Sequence, residues 1–155
     1  MTTIRLTQHF TLHELTHSAT AVRQRLDNTP PPDVLRALQG TAEMLERIRS
    51  TLGVPVVVTS AYRSRLVNQA VGGVSSSDHV SGQAADFVAP SYGSPYLIAS
   101  LLAPLVSTLG IEQLILEGLK GKQWIHVSTR KPAKNINRIL TITDAGARPG
   151  IQSFA

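Results

Sequence analysis

Apolar residues recur at intervals of three and four residues in two segments near the start of the chain, which predicts two amphipathic helices. In the first, Thr11 and Glu14 form a capping box, and the helix is predicted to run from Leu12 to Leu26. In the second, Asp33 is the predicted cap and Gly53 the predicted end. The apolar stripe of the first helix is Leu12, Leu15, Ala19, Val22 and Leu26, and that of the second is Val34, Leu35, Leu38, Ala42, Leu45, Ile48 and Leu52.

Short runs of β-branched or alternating residues predict the strands, at 54–59, 84–88, 114–116, 124–128 and 139–143. A short helix is predicted at 64–70, and a longer one at 95–109 that Pro104 should kink or split. Helices outside a small antiparallel or mixed sheet make an α+β fold. The tail at 144–155 has no interpretable pattern, and we expect a contact to hold it, such as one with a neighbouring subunit.

Length and composition favour one compact domain over residues 1–155. With 155 residues, 42% of them hydrophobic, the chain lies within the range of about 100 to 200 residues that is usual for a domain. It has no cysteine, so neither a disulfide nor a thiolate metal ligand is available. Residues 1–5 lack the apolar run of a signal peptide, and no segment approaches the roughly 20 apolar residues of a membrane span. We therefore expect neither a secretory leader nor a membrane span.

The charge balance is basic, with 15 Lys and Arg against 10 Asp and Glu and a net charge of +5. The basic residues cluster at 130–138, a run that would bind nucleic-acid phosphates or remain a solvated loop. No aromatic residue interleaves with that run, and the chain has only three Phe, three Tyr and one Trp, which argues against nucleic-acid binding. An anionic cell envelope is a better match, through an attraction that salt weakens.

Three side chains are put forward as ligands of one metal ion: His79, Asp86 and His126. His79 follows a Gly- and Ser-rich run and therefore lies on a loop, Gly82 allows a turn, and Asp86 lies on the next strand. His126 shares a predicted strand face with Trp124 and Ser128. Each residue alone is more often structural, a core histidine or a turn cap, but their joint occurrence favours a metal. A zinc ion with three protein ligands keeps a position for a water of pKa about 7, which is hydrolase chemistry.

The pattern Ser77-x-His79-x-x-Gly82-x-Ala84-x-Asp86 with a later Trp124-x-His126 resembles the zinc D-Ala-D-Ala metallopeptidase family, which shares its site plan with lysostaphin-type enzymes and the hedgehog signalling domain. The likeness extends through 9–12, 27–31, 59–64 and 68–73 to Val127. The resemblance implies a single zinc peptidase-like domain with a hedgehog-like or D,D-peptidase-like fold. It also implies one Zn²⁺ on His79, Asp86 and His126, and substrate contacts from Arg63, Ser77 and Trp124. Taken alone, Arg63 after a strand is equally typical of a solvated surface charge.

A general base is needed to move a proton from water to the leaving amine. Many members of the family resembled have an acidic residue three positions before the last histidine ligand, where this chain has Gln123, which cannot accept a proton. Other members place a glutamate upstream, on the strand that pairs with the histidine strand. Glu117 is predicted to face the site in this way across a hairpin and to be the general base. The alternative interpretation is that Glu117 is an ordinary exposed carboxylate at a strand end.

A second metal signature competes, because His13-Glu14-Leu15-Thr16-His17 fits H-E-x-x-H. We interpret it as accidental. The chain does not match the longer motif H-E-x-x-H-x-x-G-x-x-H, because it has Thr20 in place of the glycine and Arg23 in place of the third histidine. Glu14 already has a structural task in the capping box, and both histidines lie off the apolar stripe of the helix.

These observations together predict a zinc peptidase that hydrolyses a peptide bond involving a D-amino acid in the peptidoglycan stem, of the endolysin or D,D-carboxypeptidase type and encoded by a phage. In this hypothesis zinc supplies the hydroxide, Glu117 moves the proton and Arg63 holds the substrate. The protein would be made in the bacterial cytoplasm and released through a holin, or be carried in a virion with other phage proteins. The alternative is a cell-wall-binding or structural tail or capsid module that lost turnover through Gln123.

Overall fold

A six-stranded mixed sheet forms the centre of the protein in a computed structural model that describes residues 3–154. Met1, Thr2 and Ala155, the ends of the predicted domain, lie outside the described residues. The strand order is β1-β2-β4-β3-β5-β6, in which neighbours are antiparallel except for the parallel pair β3 and β5. The strands are β1 Val57–Ser60, β2 Ala84–Val88, β3 Gln113–Leu119, β4 Lys122–Ser128, β5 Ile139–Thr143 and β6 Gly146–Pro149.

Six α-helices flank the sheet in the described part of the chain, which confirms the predicted α+β class. They are α1 Leu12–Thr16, α2 Ala19–Gln24, α3 Pro32–Leu52, α4 Arg65–Ala70, α5 Pro95–Leu102 and α6 Val106–Leu109. A 3-10 turn containing Pro104 separates α5 from α6, because proline lacks the N–H that a continuous helix needs. None of the described helices has the length and apolar character required to cross a membrane.

The two faces of the sheet have different roles, since side chains alternate along each strand. Phe87 of β2, Leu116 of β3 and Ile125 of β4 are fully buried and belong to one hydrophobic core with the apolar faces of α3, α5 and α6. The intervening residues, among them Asp86 and His126, project from the opposite face. The strands in the middle of the sheet therefore carry the core on one side and polar chemistry on the other.

The first helix differs from the prediction, which was one helix from Leu12 to Leu26. The capping box of Thr11 and Glu14 is present, but α1 ends after five residues at His17, whose backbone is extended. Ser18 then caps a second helix by accepting a hydrogen bond from the N–H of Ala21. The local cap outweighs the continuous apolar pattern, and Val22, predicted to be in the stripe, is 70% exposed.

Two further predicted boundaries shift for reasons that involve proline. Helix α3 begins at Pro32 with Pro31 as its N-cap, so Asp33 lies in the first turn and is not the cap. Proline suits the first helical position because its missing N–H has no partner there in any case. Strand β1 begins at Val57 and not at residue 54, since Pro55 cannot donate to a strand ladder. The predicted end of α3 is confirmed, with Gly53 in the left-handed conformation.

The tail, in which no pattern was predicted, packs against the chain's own sheet. Residues Gly146–Pro149 form the edge strand β6 beside β5. Beyond it, the Thr141 hydroxyl donates to the carbonyl of Gly150 over 2.8 Å and accepts from the N–H of Gln152 over 2.9 Å. The Phe154 ring then packs directly over Gly118 of β3, where no side chain larger than hydrogen would fit without a shift.

Candidate metal centre

His79, Asp86 and His126 converge on one point at the polar face of the sheet. The Oδ1 atom of Asp86 lies 2.9 Å from Nδ1 of His126 and 3.2 Å from Nε2 of His79. One ligand atom from each residue lies within 4.8 Å of the other two, and the described residues contain no other such group of three or more. The predicted ligand set is therefore assembled in space, although His79 and His126 are far apart in sequence.

Strand pairing and a loop place these three groups. Asp86 of β2 is directly opposite His126 of β4 in the antiparallel register, so both project from the same face. His79 reaches the same point from the loop before β2, and the chain between them turns at Gly82, which has a φ of +75°. A Cβ atom at Gly82 would lie 2.8 Å from a methyl carbon of Val34, so helix α3 leaves room only for glycine.

Hydrogen bonds orient His79 toward the centre. Its Nδ1 lies 2.6 Å from the carbonyl oxygen of Ala61, which can only accept, so Nδ1 carries the hydrogen. The Nε2 atom is thereby left with a lone pair directed at the same point as Asp86. The backbone N–H of Arg63 also donates to the carbonyl of His79 over 3.1 Å, which fixes the loop to the segment after β1. A carbonyl that holds the second ring nitrogen is the usual partner of a metal-binding histidine.

The three groups fit a zinc ion in kind and in spacing. Two imidazoles and one carboxylate are among the ligands that zinc prefers when thiolates are lacking. Zinc binds such atoms at about 2.0 to 2.1 Å, which places tetrahedral ligands about 3.3 Å apart, close to the observed separations of 2.9 and 3.2 Å. Burial by itself would raise the pKa of Asp86, but the adjacent rings of His79 and His126 hold it below its usual range. Asp86 is therefore an anion, as a ligand of a dication should be.

Glu117 faces the centre from the neighbouring strand. It is paired with Trp124 in the register of β3 and β4, and its Oε1 atom lies 3.9 Å from Nδ1 of His126. Burial raises the pKa of Glu117 to about 7, and the negative charge of Asp86 acts in the same direction. A carboxyl group with a pKa near neutrality can both take up and release a proton in the working range of most enzymes.

Gln123 projects from the opposite face of the same sheet. It is paired with Gly118, and it lines a separate cavity with Thr141 and Phe154 that contains neither Glu117 nor Trp124. This position, where many members of the family were expected to have an acidic residue, therefore faces away from His79, Asp86 and His126. The geometry assigns no acid–base task to that position here.

A cleft of about 490 Å³ opens beside Asp86 and holds two of the three predicted substrate contacts. Arg63, Asp86 and Trp124 line it together. Ser77, the third, lines a neighbouring cavity with Tyr62 and is already occupied structurally, since its hydroxyl accepts the N–H of His79 over 3.2 Å. Substrate binding by Ser77 stays a prediction.

A family model described as Peptidase M15 matches residues 8–128, which is more than three quarters of the chain. The chain belongs to the peptidase M15 family. As an M15 peptidase it is a zinc metallopeptidase, and its His79, Asp86 and His126 agree with that metal requirement. No curated protein matches the chain.

The competing H-E-x-x-H sequence does not form a metal group in the M15 peptidase. His13 and His17 are exposed, with ring centroids 5.3 Å apart, and Glu14 is held by the backbone and side chain of Thr11. Within residues 3–154 no further ligand joins them in a group of three. The motif spans a five-residue helix and ends at its C-cap, His17, which lines the cleft that Trp124 also lines.

Replacing both His13 and His17 with alanine is expected to leave the zinc content of the M15 peptidase unchanged. The reason is that neither imidazole lies in the group formed by His79, Asp86 and His126. Elemental analysis of the purified variant measures this directly. A variant that loses its zinc would show that the H-E-x-x-H pair binds the metal.

Three contributors to the centre were not identified from the sequence. The carbonyl of Ala61 is a backbone group, for which a sequence has no signature. Asp78 accepts a hydrogen bond from the Ser128 hydroxyl over 2.8 Å and so ties the loop of His79 to the end of β4. Lys122 lines the cleft. It could have been found, because it continues the alternation of Trp124 and His126 along one strand.

Proposed function

We propose that this zinc metallopeptidase hydrolyses a peptide bond involving a D-amino acid in the peptidoglycan stem. The observation that carries the proposal is the convergence of His79, Asp86 and His126, with the largely buried carboxyl group of Glu117 beside His126 and with Arg63 lining a cleft together with Asp86. At the family level, M15 membership supports peptidoglycan as the substrate. The resemblance to D,D-carboxypeptidases and endolysins supports a bond to a D-amino acid.

His79, Asp86 and His126 would hold the zinc. When bound, zinc supplies Lewis-acid polarisation of a carbonyl and brings the pKa of a water molecule to about 7. The carboxylate of Asp86 compensates part of the charge, and the hydrogen bond from His79 to Ala61 fixes the ring that must face the metal. The remaining chemistry belongs to side chains of this chain.

Glu117 is the proposed general base and acid. Its Oε1 atom lies 3.9 Å from Nδ1 of His126, so a water molecule held beside the three proposed ligands would be within its hydrogen-bonding reach. Because burial brings its pKa to about 7, it can accept a proton from that water and return it to the nitrogen of the leaving amine. This transfer balances the reaction, since the acid product gains the oxygen and the amine product gains the proton.

Arg63 is the proposed substrate anchor. Its guanidinium lines the cleft with Asp86, and the fork of N–H donors suits a carboxylate or the carbonyl of the scissile bond. A fixed cation there would stabilise negative charge that develops on the carbonyl oxygen during attack. The net charge of +5 supports an anionic polymer as the larger target of the protein.

The alternative function is a non-catalytic binding or structural module. It would follow if the glutamine at position 123, in place of an acidic residue, had removed the general base. Gln123 lies on the face of the sheet away from the metal ligands, while Glu117 lies on the same face as they do. The substitution at Gln123 therefore gives no reason to expect lost turnover, and the geometry favours the enzyme.

The test is hydrolysis of purified peptidoglycan. We expect new amino groups to appear, to cease with a chelator, and to return when zinc is added, because the proposed chemistry depends on the metal held by His79, Asp86 and His126. Mass analysis of the fragments identifies the bond and distinguishes internal cleavage from removal of a terminal residue. Binding to sacculi without any released amine would contradict the proposed activity and favour the module.

We further propose a phage setting, in which the enzyme is a lysis protein released through a holin or a component of the virion. The resemblance to bacteriophage endolysins supports it. Mass spectrometry of purified virions separates the two routes: the chain is found in the particle if it is a virion component, and only in the lysate if it acts at lysis.

A further inference from the structure

The cleft continues along β4 away from the metal ligands. His126, Trp124 and Lys122 alternate on the same strand face, and Trp124 and Lys122 line the cleft together with Arg63. A strand rises by about 3.3 Å per residue, so Lys122 lies about 13 Å from His126 along β4. The cleft is therefore long enough for several residues of an extended peptide, with Lys122 at its far end.

Two buried donors in this cleft have no acceptor. Among the described residues, neither Nε1 of Trp124 nor Nε of Arg63 finds a hydrogen-bond partner, although both atoms are buried. Buried polar atoms are nearly always paired in folded proteins, because an unpaired one destabilises the fold. Trp124 and Arg63 both line the cleft, so a peptide bound there would bring oxygen acceptors next to the two unpaired donors.

The charge at the far end of the cleft is positive and unopposed. Lys122 is exposed and makes no salt bridge within residues 3–154. The α1–α2 junction contributes His17, Ser18, Ala19 and Thr20 to the lining, none of which carries a negative charge. Asp86 is the one acidic residue in the described lining, and its carboxylate lies against the rings of His79 and His126.

We propose that Lys122 determines specificity by binding a carboxylate of the substrate two to four residues from the scissile bond, while the indole N–H of Trp124 donates to a backbone carbonyl between them. The substrate is thus an extended, anionic peptide, and amidation of that carboxylate weakens its binding. The inference rests on the proposed function, since it assigns roles along the same cleft. The distance of about 13 Å sets the range of residues, at about 3.3 Å per residue of extended peptide.

The test compares two stem peptides that differ only in one group, a free carboxylate or the corresponding carboxamide. At low salt, kcat/KM of the wild type is expected to be about fivefold higher for the carboxylate, the size of a favourable exposed ion pair. In Lys122→Gln this preference disappears, because the uncharged amide cannot form an ion pair with the substrate carboxylate. Lys120→Gln is the matched control, since Lys120 lies in the same hairpin but does not line the cleft, and it keeps the preference.

Trp124→Phe tests the donor separately. It keeps an aromatic ring and removes the N–H, so kcat/KM is expected to fall about tenfold for both peptides equally, with the zinc content unchanged. Unchanged kcat/KM in this variant would overturn the donor role.

The outcomes separate the specificity inference from the activity on which it rests. Equal hydrolysis of both peptides by the wild type, or a preference that survives in Lys122→Gln, overturns the role of Lys122 and leaves the peptidase activity standing. Failure of the wild type to hydrolyse either peptide overturns the proposed function and this inference with it.

Discussion

Replacement of Glu117 by glutamine is expected to lower kcat about 10³-fold, the usual contribution of a positioned general base. The amide keeps the shape of the side chain beside His126, but it cannot accept a proton. Because Glu117 is not among the three converging ligands, the zinc content should stay at the wild-type level. The measurement is the rate of amine release under saturating substrate, together with elemental analysis of the same sample.

The matched control is Glu112→Gln, because Glu112 immediately precedes the same strand and is not part of the metal group. This control is expected to keep wild-type turnover. If Glu117→Gln hydrolyses peptidoglycan at the wild-type rate, Glu117 is not the base, and the proton must be carried by another group. If it instead loses zinc, Glu117 acts on metal binding, and the assignment of three ligands is incomplete.

Replacement of His126 by alanine is expected to abolish both zinc binding and activity. The imidazole is one of the three proposed ligands, so its loss should weaken zinc binding by more than the 10- to 100-fold typical of removing a partner that merely orients a ligand. The loss also leaves Asp86 with His79 as its single close imidazole partner. Zinc content after dialysis and amine release are the direct readouts.

Thermal unfolding separates loss of the ion from loss of the fold in this variant. A metal that binds only the native state stabilises it by about 2.7 kcal/mol at 100 times its Kd, so added zinc should raise the Tm of the wild type. The Tm of His126→Ala should not respond to zinc, whereas that of the His13→Ala/His17→Ala double variant should respond as the wild type does. A zinc-dependent rise in His126→Ala would show that His126 is not a ligand.

Local sequence patterns were sufficient where one strong physical preference acted alone. The 84–88 strand, the end of α3 at Gly53 and the break at Pro104 all agree with the structure. Each depends on the residue and its near neighbours: an apolar β-prone run, a residue free to adopt positive φ, and a residue without an N–H. Such features need no knowledge of the rest of the chain.

Predictions were wrong or missing where two local preferences competed, or where a segment is held by residues far away in the sequence. The apolar stripe suggested one helix across His17 and Ser18, but the cap formed by Ser18 ends the pattern and starts a second helix. The tail had no recognisable pattern because its strand forms only by pairing with β5. The position of its last aromatic ring, that of Phe154, depends on the space that Gly118 of β3 leaves. These contacts exist only after the sheet has formed.

The sequence by itself determined which side chains are available for chemistry: two histidines and an aspartate in a motif, a glutamate before a hairpin, and no thiol to compete for the metal. Only the tertiary structure decided which of the two possible metal signatures converges, that Glu117 and not position 123 faces the ligands, and that Lys122 extends the cleft. The physical reason is that alternation within a strand is a local property, whereas the side of the sheet that meets the core depends on register between strands far apart in the chain.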